Sequence, residues 1–146
     1  MIPNLNAGRD ALHRLDEFLA EHAQIEVHRE AGSTTVRGTP ETGFDVTMVD
    51  WGREAMIEGG GWHGHFDDPE EAASTFMWLL TPSTRIVLTF RGAQHVGWRL
   101  EWEEEGKWVR GERGASLAAL FLWGKRREET LQNDLLGPRI VQLPVR

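Results

Sequence analysis

Cysteine and tyrosine are both absent from this 146-residue chain. Without cysteine there is no disulfide framework and no thiolate zinc site. Long apolar runs are missing too: a stretch such as Leu117 to Trp123 is far too short to cross a bilayer. The opening residues, MIPNLNAGRDALHRL, lack the basic start and apolar run of a signal peptide, so a cytoplasmic protein is expected. No repeat, low-complexity tract or Pro/Ser linker divides the chain, and one domain over residues 1–146 is expected. Several catalytic signatures are lacking as well. Ser74, Ser83 and Ser116 have no GxSxG context. The Gly59-Gly60-Gly61 run lacks the P-loop lysine and the Rossmann spacing, and the HExxH zinc motif does not occur.

What remains is the composition of a globular chain rather than a disordered one, with 40% hydrophobic and 27% charged residues. The net charge of −7 is unevenly distributed. Residues 1–73 hold five basic and fifteen acidic side chains, and residues 74–146 hold eleven basic and eight acidic ones. An acidic first half disfavours direct contact with nucleic acid or anionic lipid, since phosphate attraction supplies most non-specific affinity. It suits a basic protein partner. Tryptophan, with seven residues, is abundant and serves cores and interfaces alike.

Hydrophobic spacing predicts a helix over 8–22, with Ala11, Leu12, Leu15, Phe18 and Leu19 as its apolar face and Asn6 as N-cap. Four strands follow, at 24–30, 33–37, 43–50 and 53–58, with turns at Ala31-Gly32 and Trp51-Gly52. A second helix is expected over 68–80, stopped by Thr81-Pro82. Three strands come next. Phe90 is expected opposite Val96, Leu88 opposite Trp98, Ile86 opposite Leu100, and Trp102 opposite Trp108 across a three-residue loop at Glu104-Glu105-Gly106. The other face, with Arg85, Thr89, Arg91, His95, Arg99 and Glu101, is expected to be wet. Leu117, Leu120, Phe121, Leu131 and Leu135 predict a last helical region over 115–136, bent near Gly124 and ended by Gly137-Pro138. Ile140, Val141 and Leu143 add an edge strand or an extended tail. The order α-ββββ-α-βββ-α implies an α+β domain: one mainly antiparallel sheet of six to eight strands, with helices packed on one face.

The chemistry-bearing stretch is GGGWHGHFDDPEE, residues 59–71. On an extended segment His63 and His65 point the same way and Asp67 continues that parity. Three N/O ligands on one side suit zinc or another divalent ion, and His95 is a further candidate. The pattern resembles the HxHxD portion of metallo-β-lactamase-type hydrolases, but the histidine that closes their motif is missing, since Pro69 follows Asp68. The structural alternative uses more of the same residues. Asp68 is an N-cap, Pro69 takes N1, and Glu71 at N3 completes a capping box. The glycines let the chain turn sharply out of a strand.

The segment GWHGHFDDPEEAASTFMWLLTPSTRIVLTFRG, 61–92, resembles small bacterial proteins in which an H-F-D/E motif opens a helix that feeds an antiparallel strand ending in RG. The Trp98–Trp108 hairpin and Leu131-Gln132-Asn133 fit the same pattern. Some such acidic α+β proteins are similar to immunity proteins of polymorphic toxin systems. That resemblance implies a fold and no catalytic residue.

The expected function is therefore a non-enzymatic domain that binds another protein, with no cofactor, no nucleic acid and no membrane as partner, and with a homodimer compatible with the sequence. Trp51, Trp62, Glu103, Glu104 and Glu105 are the expected contact residues. The alternatives are a metal-binding domain or metal-dependent hydrolase using His63, His65, Asp67 and His95, and a small-ligand binder with a Trp-lined pocket.

Overall fold

The computed structural model describes residues 3–115 and 124–136. Among them the chain forms two helices and two antiparallel sheets, a mixed α+β fold. The first helix, α1 (Ala7–Leu19), buries Ala7, Gly8, Ala11, Leu15 and Leu19. Asn6 precedes it but makes no side-chain cap, contrary to expectation.

The first sheet is a meander of five strands in chain order: β1 (Val27–Glu30), β2 (Ser33–Val36), β3 (Val46–Asp50), β4 (Ala55–Gly59) and β5 (Trp62–Phe66). Period-2 alternation sends Val36, Val46, Met48, Ala55, Ile57 and Trp62 to one face. α1 and the second helix, α2 (Pro69–Trp78), cover that face, and α2 contributes Ala72, Ala73 and Phe76 to the same apolar cluster. Asp68 caps α2: its Oδ1 accepts from the backbone N–H of Glu70 at 2.9 Å and of Glu71 at 3.3 Å. Pro69 opens the helix, where its missing donor costs nothing.

β5 was not expected as a strand. Its inward positions are Trp62, Gly64 and Phe66, so glycine interrupts the apolar alternation. The gap is filled sideways: a Cβ at Gly64 would lie 2.9 Å from Cζ2 of Trp62 and 3.2 Å from Cε2 of Phe66. The glycine run is the hairpin turn between β4 and β5. Gly59 pairs with Trp62, and Gly60 and Gly61 both take positive φ, 57° and 94°, as a two-residue type I′ turn requires.

The second sheet runs in the order β8-β7-β6-β9, with β6 (Thr84–Arg91), β7 (Gln94–Glu104), β8 (Lys107–Ala115) and β9 (Arg126–Leu131). Two separate sheets replace the single one expected. Leu88 faces Trp98 and Ile86 faces Leu100 as predicted. A bulge at Thr89/Phe90 puts Phe90 opposite His95 instead of Val96. Glu105 and Gly106, at φ 50° and 77°, form a two-residue turn rather than a three-residue loop. Trp102 therefore meets Val109, and Trp108 meets Glu103.

The expected helix over 115–136 is overturned at both described ends: β8 runs through Ala115, and Arg126–Leu131 is a strand paired with β6. Leu117, Leu120 and Phe121 lie outside the described residues, as do Ile140, Val141 and Leu143. β9 reads as no strand because both its faces carry charge, in the sequence RREETL.

The two sheets meet at the β4–β5 turn. A Cβ at Gly60 would sit 3.0 Å from Cδ1 of Ile86, and one at Gly61 would sit 3.8 Å from Cδ1 of Trp98 and 3.9 Å from Cδ2 of Leu88. The tip of the first sheet thus touches the apolar face of the second. A second tie is Asn133, buried just beyond β9. Its Oδ1 accepts from the N–H groups of Thr39 (3.0 Å) and Phe44 (3.1 Å), and its Nδ2 donates to the carbonyls of Phe44 (3.0 Å) and Leu79 (3.1 Å). All four capacities of the amide are used, binding the β2–β3 connection, the end of α2 and the segment after β9. No described helix is long and apolar enough to cross a membrane.

Candidate functional site

The helices take the inner face of the five-stranded sheet, and the outer face carries the polar positions. Cross-strand register puts Thr35, Thr47, Glu58 and His63 in one row, and Val49, Met56 and His65 in the next. Thr35 and Thr47 share a hydrogen bond of 2.9 Å. Glu58, His63 and His65 are exposed.

His63 and His65 do share a face, as their spacing predicts, with ring centroids 5.7 Å apart and planes nearly perpendicular. His65 is held from two sides. Its Nδ1–H donates to Oε1 of Glu54 at 3.1 Å, and Trp51 lies against it with centroids 5.0 Å apart. Asp67 falls after β5 has ended. Among the described residues, no group of three or more His, Asp or Glu side chains is placed to hold a metal ion. His95 sits at the seam between the sheets. Its Nε2–H donates to the carbonyl of Gly97 at 2.8 Å, its ring packs on Phe90 at 5.3 Å, and its Cε1 lies 3.7 Å from where a Cβ at Gly61 would be.

Beside the glycine turn is a cleft of about 240 Å3, lined by Asp45, Thr47, Glu58, residues 59–61, Trp62 and His63. Among the described residues, neither Asp45 nor Glu58 forms an ion pair; Asp45 accepts one hydrogen bond from the N–H of Gly38 at 2.9 Å. At the other end of this face, Trp51 is 53% exposed. Gly8 N–H donates to the carbonyl of Gly52 at 3.0 Å and so ties the start of α1 to the β3–β4 turn that carries Trp51.

The other expected contact residues are not gathered here. Trp62 is 4% exposed and belongs to the core, so it offers a partner no surface; its buried Nε1 has no hydrogen-bond partner. Glu103, Glu104 and Glu105 form the tip of the β7–β8 hairpin. There Glu104 accepts from Nε1 of Trp102 at 3.0 Å, and Trp102 packs on Trp78 at the C-terminal end of α2. Trp51 lies instead beside β5, which leads into the N-terminus of α2.

The outward face of the second sheet is also not uniformly wet. Glu101 is 2% exposed. It accepts from Arg85 at 2.7 Å and Arg99 at 2.6 Å, with Arg110 3.6 Å away. Arg99 continues to Glu128 on β9, and the guanidinium of Arg85 lies 3.9 Å over the ring of Trp108. Burial pushes the Glu101 carboxyl up, but hydrogen bonds from Arg99 and Arg85 outweigh it and hold the group below the ordinary carboxylate range. Hydrogen bonding to Arg99 likewise lowers Glu128, while its two carboxylate partners raise Arg99. Glu71 shifts the other way, raised by desolvation and by the neighbouring charges of Asp68 and Asp67. The Glu101 network joins four strands and is structural in character. The alternation of Arg85, Arg99 and Glu101 on facing strands was its visible signal; Asn133 carried none.

In comparisons with known proteins the chain matches no family model, no curated protein and no solved structure.

Proposed function

We propose that the chain is a non-enzymatic protein-binding domain of the immunity or antitoxin kind, whose contact is anchored on Trp51. The supporting observation is the setting of that side chain. Trp51 is a large, half-exposed aromatic at the edge of a sheet face that no described helix covers. Interface energy concentrates in such aromatics, and a tryptophan already packed on a fixed neighbour loses little freedom on binding. His65, itself oriented by Glu54, is that neighbour. The acidic first half of the chain, which contributes this sheet, favours a basic partner through attraction at long range.

The test is affinity capture from native cells with the wild-type chain and with Trp51→Ala. The expected outcome is a stoichiometric basic protein that the variant fails to retain, although its thermal unfolding is unchanged. A partner held equally well by the variant rejects Trp51 as the anchor. Capture of nothing, together with tight binding of a small metabolite, rejects the protein-binding reading.

A further inference from the structure

We propose that the outer face of the five-stranded sheet docks an extended basic segment of a protein partner, with a Lys or Arg side chain set between Asp45 and Glu58 and an adjacent apolar side chain on Trp51. The inference rests on the protein-binding reading and goes further, naming the chemistry of the occupant. Its ground is charge complementarity on an uncovered face. Asp45 and Glu58 both line the cleft beside the β4–β5 turn, both are exposed, and neither is neutralised by an ion pair among the described residues. Arg37 and Arg53, the cations of the neighbouring turns, form no ion pair among those residues either, so they do not occupy the cleft in the place of a ligand.

Spacing supplies the rest. His63 faces Glu58 and belongs to the cleft; His65, two residues on, packs against Trp51. Positions two apart on a strand are about 6.8 Å apart along it. A segment lying extended along β5 has the same repeat, so consecutive same-face side chains reach the carboxylates and the indole. Exposed ion pairs contribute little affinity, so Trp51 supplies the anchorage and the carboxylates select the sign of charge.

The experiment is a 15N-resolved NMR titration with a six-residue peptide in which arginine and valine occupy alternate same-face positions with serine between them, and with its counterpart carrying glutamate for arginine. The expected result is shift changes at the amides of residues 58–65 and at the Trp51 indole with the arginine peptide. The glutamate peptide should bind at least tenfold more weakly. Asp45→Asn combined with Glu58→Gln should weaken the arginine peptide at least fivefold without lowering the melting temperature. Glu58→Gln alone, which leaves the Asp45–Gly38 bond intact, should give a smaller loss in the same direction. Shifts confined to another face, equal binding by the variants, or preference for the glutamate peptide overturns the proposal. So does a dimer of the chain that the double variant abolishes, or zinc chloride perturbing His63 and His65 where the peptide does not. The titration needs no cellular partner. A chain that captures its partner through Trp51 but ignores the arginine peptide overturns this inference alone, and one that captures no protein, ignores the peptide and binds a small metabolite tightly overturns both.

Discussion

Asn133 closes four hydrogen bonds with one small, fully buried side chain, three of them buried and the one to Thr39 partly so. Replacing it with Ala strands two N–H groups and two carbonyls, each costing on the order of 1–3 kcal/mol when buried and unpaired. Asn133→Ala should therefore lower stability by about 3 kcal/mol or more, read as a reduced urea midpoint at constant slope. Asn133→Asp should do no better, because it loses both donors and turns a carboxylate oxygen toward the carbonyls of Phe44 and Leu79. Asp68 is the useful contrast. Its cap serves an exposed helix end, where water replaces it in part, and Asp68→Ala should cost only about 1 kcal/mol by the same measurement. Of these two residues only Asp68 could be read in advance. A carboxylate followed by Pro and two Glu announces a helix start from local chemistry alone. An asparagine after a strand gives no sign that it will serve three distant pieces of backbone.

At the level of elements, the β4–β5 hairpin is the most constrained. Both turn residues hold positive φ and face the second sheet at close range, so two requirements for glycine coincide. Gly60→Val should cost about 2 kcal/mol or more, from the left-handed backbone together with crowding against Ile86. Gly61→Asn should be milder, since asparagine tolerates that region and the space there is looser. Paired denaturation curves separate the two. The elements legible in the sequence were those whose apolar period ran unbroken: α1, α2 with its cap, the β6–β7 register at Leu88 and Ile86, and the strands that became β1 to β4. β5 was hidden because Gly64 occupies a core position that Trp62 fills from the side. β9 was hidden because charges on both faces give a ladder held by backbone pairing no hydrophobic signature. Its leucines, spaced for a helix, belong instead to a strand end and the bend after it. For the candidate site, the common face of His63 and His65 was legible from parity. The service of Glu54 and Trp51 to His65 was not, since it depends on how the β3–β4 turn folds back.

Over the molecule as a whole, charge is organised by sheet. The first sheet belongs to the acidic half and leaves Asp45 and Glu58 without ion pairs among the described residues; the second gathers Arg85, Arg99, Arg110 and Glu128 around Glu101. The linkage has a definite sign. Glu101 and Glu128 have folded-state values below their ordinary ones, so their contribution is complete above the normal carboxylate range and is lost as pH falls through the lowered values. Unfolding free energy should decline between about pH 5 and pH 2. Glu101→Gln should flatten that slope and should already cost about 2 kcal/mol at neutral pH, by leaving Arg85 beside a neutral amide while Arg99 keeps its pairing with Glu128. Raised salt should weaken partner capture while leaving this half-buried network nearly intact. The meeting of the sheets at bare glycine backbone has one more consequence. A visitor resting on the outer face beside that turn presses on a hinge pin shared by both halves, so its arrival should be felt where it never lands. Amide hydrogens around Ile86 and Leu88 should exchange more slowly once the first sheet is occupied.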